Sequence, residues 1–256
     1  MASLDPALLK LRRADEHIED IKERIRRFSG QPYKVISHFD KDTGKWELRL
    51  SGVKNIPETW PLIIGDAVNN LRSALDHLMW NLVLLNNGGP ARGTQFPISI
   101  NGNSYDGDTG QLTAGASVAH IAKIKSLQPY HRVGTEQTHP LFWVNELARF
   151  DKHRVLLLSE IAIPSGGIGI QHLEGFDLQL DFVRTPEAQD GAVLSRFKLI
   201  KRVANAKVQM RPDVPCEIRF KQGSPDCVVG KTVTEVLIAI RNYISDDVIE
   251  QFRADF

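Results

Sequence analysis

From Gly65 to Leu85 the chain reads GDAVNNLRSALDHLMWNLVLL, and this stretch constrains the fold more than any other. Ile64, Ala67, Leu71, Ala74, Leu75, Leu78, Leu82 and Leu85 recur at three- and four-residue steps, the spacing that stacks side chains on one face of an α-helix. That face predicts a helix buried along one side. Asp66, Asn69, Asn70, Arg72, Ser73, Asp76 and His77 fall on the rest of its circumference. A merely solvated face is normally filled with Lys and Glu, so this density of hydrogen-bonding groups marks the place to look for chemistry.

The segments on either side are equally patterned. Asp5-Pro6 suits a helix start, because the carboxylate caps free amides and proline fits the first helical position. Leu4, Ala7, Leu11, Ala14, Ile18, Ile21, Ile25 and Phe28 then alternate steps of three and four, a heptad seam for lengthwise packing on another helix. The KLRR and KERIRR clusters of that helix are read as a solvated surface. Residues 33–53 alternate around Asp-Lys-Asp-Thr-Gly as a β-hairpin, and Pro57 and Pro61 mark the entry to the long helix.

Residues 86–116, dense in Gly, Asn and Asp, read as loop, and Ser117 to Leu127 as a short helix. His139-Pro140 opens a helix expected to run through LFWVNELARFDKHRVLLLSEIAI, with Val144, Leu147, Asp151 and Val155 on one side. Beyond Pro164-Ser165-Gly166-Gly167 the texture changes to alternation, in GIGIQHLEGFDLQLDFVR, AVLSRFKLIKRV, AKVQMRPD and CEIRFKQ, which predicts antiparallel strands. A last helix over residues 231–252 is expected to cover that sheet. The fold class is therefore α+β: residues 1–163 a helical bundle with an inserted hairpin, residues 164–256 an α+β domain.

Bulk properties narrow the partners only slightly. The formal net charge of +1 creates no global field for nucleic acid or membrane, so any such partner must be met locally. Cys216 and Cys227 are too few for a disulfide framework and poorly spaced with histidine for zinc. The charged N-terminal stretch and the lack of a long uncharged run lead to the expectation of a cytoplasmic protein without membrane contact.

Within RSALDH, Arg72 offers a permanent cation with a planar donor fork suited to phosphate, and His77 the side chain whose proton moves near neutral pH. Together they could bind a phosphodiester and shuttle the proton of a ribose 2′-hydroxyl, the requirement of metal-independent RNA cleavage. Five residues separate them, about 140° around a helix, so a second helix or second protomer must complete the site. RSALDH resembles the RxxxxH pattern of HEPN-domain ribonucleases, helical bundles whose Arg and His from two protomers form a composite, metal-free site. The resemblance implies Arg72 and His77 as catalytic pair, RNA as substrate, a homodimer, no cofactor, and a setting such as phage defence or a toxin system. Ser73 departs from the polar residue common after that arginine, and Asp76 can hold Arg72 in an i,i+4 ion pair. LRSALDHLMW, FPI, LQPY and NELARFDKHR also resemble a group of uncharacterised bacterial proteins, which implies no activity.

Asn69, Asp76, Asp151 and His153 are the expected supporting residues, with Asp151 orienting a histidine or arginine and Lys152 solvated. Two other classes stand beside the ribonuclease. One is a non-enzymatic interaction module in which the same polar groups only order the bundle and the C-terminal domain binds a protein. The other is a metal-dependent enzyme drawing on His77, Glu146, Asp151 and His153, although no ExxH occurs on these helices. Trp60, Trp80, Phe142 and Trp143 are expected in the core, and His120, His131 and His139 exposed on loops.

Overall fold

The computed structural model describes residues 2–29, 34–90, 92–162, 169–172, 176–182, 189–202, 209–211 and 216–256. The architecture is α+β, with helices α1 (Asp5–Ser29), α2 (Trp60–Asn87), α3 (Gly102–Leu112), α4 (Val118–Ser126), α5 (Pro140–Asp151), α6 (Val233–Asn242) and α7 (Glu250–Phe252). The strands are β1 (Lys34–Asp40), β2 (Lys45–Ser51), β3 (Leu158–Ala162), β4 (Gly169–His172), β5 (Phe176–Phe182), β6 (Val193–Arg202), β7 (Gln209–Arg211) and β8 (Cys216–Phe220). No described helix is long and apolar enough to cross a membrane.

These elements sort into two compact units in a way that no single cut near residue 163 reproduces. The first comprises Met1–Lys22, Glu58–Leu157 and Phe220–Phe256, and the second Glu23–Pro57 and Leu158–Arg219. Two pairings cause the difference. The β1-β2 hairpin belongs with later strands, because β2 pairs with β6 in the antiparallel order β1-β2-β6-β5. The last helix, expected with that sheet, belongs to the helical unit, where α6 packs on α2 and α5.

In the helical unit α2 is the central rod. Pro61 occupies its first turn, where a missing N–H costs nothing, and Gly88 ends it at φ 70°, its N–H bonded to Leu84 O. Ile64, Ala67, Val68, Leu71, Ala74, Leu75, Leu78, Met79, Leu82 and Val83 are all fully buried, so the sealed arc is wider than the expected stripe. Leu85 leaves it, 39 % exposed. Helix α1 buries its seam from Leu4 to Ile21 as the heptad predicts. Just ahead of it Ser3 N–H donates to Asn81 Oδ1 of α2, and Asp15 of α1 accepts from Arg241 of α6 at 2.8 Å.

Three segments depart from expectation. Residues 102–112 form α3 despite their Gly and Asp content, because Asn101 Oδ1 caps Asn103 N–H and the Tyr105 ring is buried against Tyr130. Tertiary anchoring overrides weak propensity there. Helix α5 stops at Asp151, and the apolar run beyond it enters β3; a short apolar run has no period that separates strand from helix. Val155 is accordingly 58 % exposed instead of lying on the α5 core face. The final helix widens to a π-helix over Tyr243–Ile249 before α7.

The second unit is held by its four-stranded sheet and a small core of Leu50, Ala192 and Leu194, against which Val35 and Val53 pack. Asp40 fixes the hairpin turn, accepting from Asp42 N–H and Thr43 O–H, while Gly44 takes φ 66°. Glu47 is 2 % exposed yet accepts from Arg49 Nε at 2.8 Å and Arg196 Nε at 2.9 Å. Burial works to raise its carboxyl, but the two guanidinium groups outweigh it and leave the group below its usual range. The sequence patterns over residues 163–168, 173–175, 183–188, 203–208 and 212–215 lie outside the described residues.

Candidate functional site

The polar arc of α2 carries two separate constellations, one per half of the helix. Around its N-terminal turns Gly65, Asp66 and Asn69 face the end of α5. The Asp151 carboxylate lies directly on the α2 backbone at Gly65: a Cβ there would come within 2.7 Å of Cγ and Oδ2, and nearer still to Oδ1. Asn69 Nδ2 donates to Asp151 Oδ2 at 2.8 Å. Burial pushes the Asp151 carboxyl above its usual range, Asn69 opposes the shift, and Asp66 adds to it by like-charge repulsion. Asp151 thus finds the partner that a half-buried carboxylate needs, and that partner is an amide instead of the expected histidine or arginine. Pro61, Leu62, Asp66, Asp151, His153, Arg154 and Val155 line a cleft of about 390 Å³ here.

The second constellation belongs to the C-terminal half of α2 and contains the RxxxxH pair. Arg72 points inward, its side chain 14 % exposed, with one terminal nitrogen 2.8 Å from Phe96 O and 3.0 Å from Asp76 Oδ1. Asp76 Oδ1 also accepts from Phe96 N–H at 3.1 Å, so the i,i+4 pair grips both polar groups of one peptide residue. The other terminal nitrogen of Arg72 is buried without a hydrogen-bond partner among the described residues. Burial pulls the guanidinium below its usual range, with Asp76 counteracting. Burial likewise pushes the Asp76 carboxyl up, against the fields of Arg72 and, more weakly, Lys152 and His77. Replacing Arg72 with Ala strands the Phe96 carbonyl and lowers stability by about 2 kcal/mol, read as the midpoint of urea unfolding.

His77 differs from Arg72 in every respect that matters for chemistry. Its ring takes no hydrogen bond from any described residue and borders a cleft of about 360 Å³ lined by Ser73, Asp76, His77, Trp80 and Thr94. An imidazole that makes no hydrogen bond to any described residue and borders a cleft is available to an incoming group. Arg72 and His77 therefore do not present their tips together: one serves the fold, the other the cleft.

The expected supporting residues divide between the two places. Asp76 stays with His77, while Asn69, Asp151 and His153 gather at the other cleft. His77 lines one cleft and Asp151 and His153 the other, while Glu146 pairs with Arg149. No group of three or more His, Cys, Asp or Glu among the described residues is placed to hold a metal ion.

One residue at the second cleft escaped the sequence reading. Trp80, expected in the core, is 43 % exposed and lines the cleft. Its position, three residues past His77 and four past Asp76, places it on the polar arc, and the helical wheel alone could have shown this. Lys152, exposed at the end of α5, lies near enough for its charge to act on Asp76. His139 also departs from expectation, since it is buried and caps α5: its Nδ1 accepts Leu141 N–H at 3.1 Å.

Comparison with protein-family models, curated proteins and solved structures found no match for the chain.

Proposed function

We propose that the cleft at His77 is the active site of a HEPN-like, metal-independent endoribonuclease that works as a homodimer in the cytoplasm, in phage defence or a toxin system. The observation that supports this most is the unbonded His77 imidazole, held on a rigid helix beside an open cleft with Asp76 and Ser73. In the reaction His77 takes the proton of a ribose 2′-hydroxyl, the freed oxygen forms a bond to phosphorus, and the bond from phosphorus to the 5′-oxygen breaks. The leaving oxygen gains a proton, and the products are a 2′,3′-cyclic phosphate and a 5′-hydroxyl end. In the dimer implied by the RxxxxH resemblance, a second His77 delivers that proton.

Arg72 enters this scheme as a positioning residue. It fixes Asp76 and the Phe96 peptide beside the cleft, and Lys152 supplies an exposed cation nearby. Labelled single-stranded RNA incubated with purified protein in EDTA tests the reading. Wild type should cleave it and His77→Ala should not; equal cleavage by both overturns it.

A second reading draws on Arg72 itself. Its bonds to Phe96 and Asp76, and that of Asn69 to Asp151, are what a purely structural polar network would make, as in an interaction module without catalysis. On that reading wild type leaves the RNA intact, while Arg72→Ala still lowers stability.

A further inference from the structure

The structure assigns Trp80 a role that the RxxxxH pattern does not contain: we infer that its exposed indole is the platform on which an unpaired nucleobase stacks, beside the phosphodiester at His77. The inference rests on the ribonuclease reading and adds to it the kind of strand admitted, a single strand with at least one splayed base.

The second long helix buries every large apolar side chain from Leu71 to Val83 except one. Leu71, Leu75, Leu78, Met79, Leu82 and Val83 are fully buried, and Trp80 is 43 % exposed. A half-exposed indole presents a flat apolar face with a polar N–H edge to whatever enters the cleft that it lines. Here the ring borders the same cleft as the free imidazole, one helical turn away. The hydroxyl-bearing lining from Ser73 and Thr94 suits a ribose. The charge of Lys152 acts on Asp76, the acidic member of the lining. Flat ring and imidazole on one cleft match the base and the 2′-hydroxyl of one nucleotide. Stacking on a single aromatic ring is sequence-tolerant, because every base has a π-face.

Binding to a short 2′-O-methyl RNA, which has no free 2′-hydroxyl and cannot be cleaved by this chemistry, separates stacking from catalysis. Wild type should bind the single strand. Trp80→Leu should weaken binding about tenfold or more, and Trp80→Phe should retain most of it. Binding of a fully paired duplex should be insensitive to both tryptophan substitutions. Undiminished single-strand binding by Trp80→Leu overturns the inference and leaves the ribonuclease reading standing. Absence of binding by wild type also overturns it, and persistence or loss of cleavage of ordinary RNA then decides whether that reading falls as well. Light scattering covers the remaining outcome: if Trp80→Leu turns a dimer into a folded monomer, the indole is a subunit contact and the inference is overturned.

Discussion

Gly65→Ala should destabilise the protein by about 2–3 kcal/mol, although alanine is the better helix former by about 1 kcal/mol at an ordinary position. Gly65 is not ordinary. The Asp151 carboxylate occupies the space that a methyl group would take, with Cγ and Oδ2 2.7 Å from where the Cβ would sit. Aspartate is short, and this one is held by Asn69, so it can leave only by breaking that bond or displacing the end of α5 from α2. The sign should reverse once the carboxylate is gone: in an Asp151→Ala background, Gly65→Ala should stabilise, since only the gain in helix propensity remains. Chemical denaturation of the four proteins in this double-mutant cycle reads the coupling directly. If Gly65→Ala alone leaves stability unchanged or raised, the close contact between α2 and α5 is not present in solution.

Lowering the pH from 6.5 to 4 should remove about 3 kcal/mol of stability through His139 alone. His139 is 3 % exposed, and its Nδ1 accepts Leu141 N–H at the start of α5, which requires the neutral imidazole. Its ring packs edge-on to Tyr243 at 4.7 Å between centroids. Burial, reinforced by the nearby positive charge of Arg132, pushes its pKa down from 6.5 to about 4. The unfolded chain therefore binds a proton on His139 that the folded chain refuses throughout this window. The contribution is complete above pH 6.5, declines as pH falls, and is gone below about 4. Urea midpoints taken between pH 7.5 and 4 check this against His139→Asn, which keeps a capping side chain but cannot titrate. Identical pH profiles for variant and wild type would show that the imidazole is not the responsible group.

How far these features are legible in the amino-acid order depends on whether their causes are local. The seam of α1 and the burial of α2 follow from periodicity, and the Arg72–Asp76 pair follows from spacing along one helix. The peptide that this pair grips does not, since Phe96 arrives from a segment 24 residues away. Asn69 and Asp151 are 82 positions apart, so the need of Asp151 for a partner was readable and the partner was not. The same limit explains the sheet: alternation marks β2 and β6 as strands but carries no information on which strand pairs with which. Trp80 is different. Its place on the wheel was visible, and only the habit of assigning tryptophan to a core hid it.

The pairing of β2 with β6 also sets an order of events on the ribosome. Glu47 and Arg196, bonded across that pair, are 149 residues apart in the chain. At ordinary elongation rates β6 is synthesised roughly 7–30 s after β2, so once the hairpin has left the exit tunnel there is an interval in which its neighbour does not yet exist. Throughout that interval β2 offers an open row of amides and carbonyls, with Leu48 and Leu50 uncovered, to any strand that drifts past. Only translation as far as β6 closes that edge, so the nascent chain carries an aggregation hazard that the finished chain has covered.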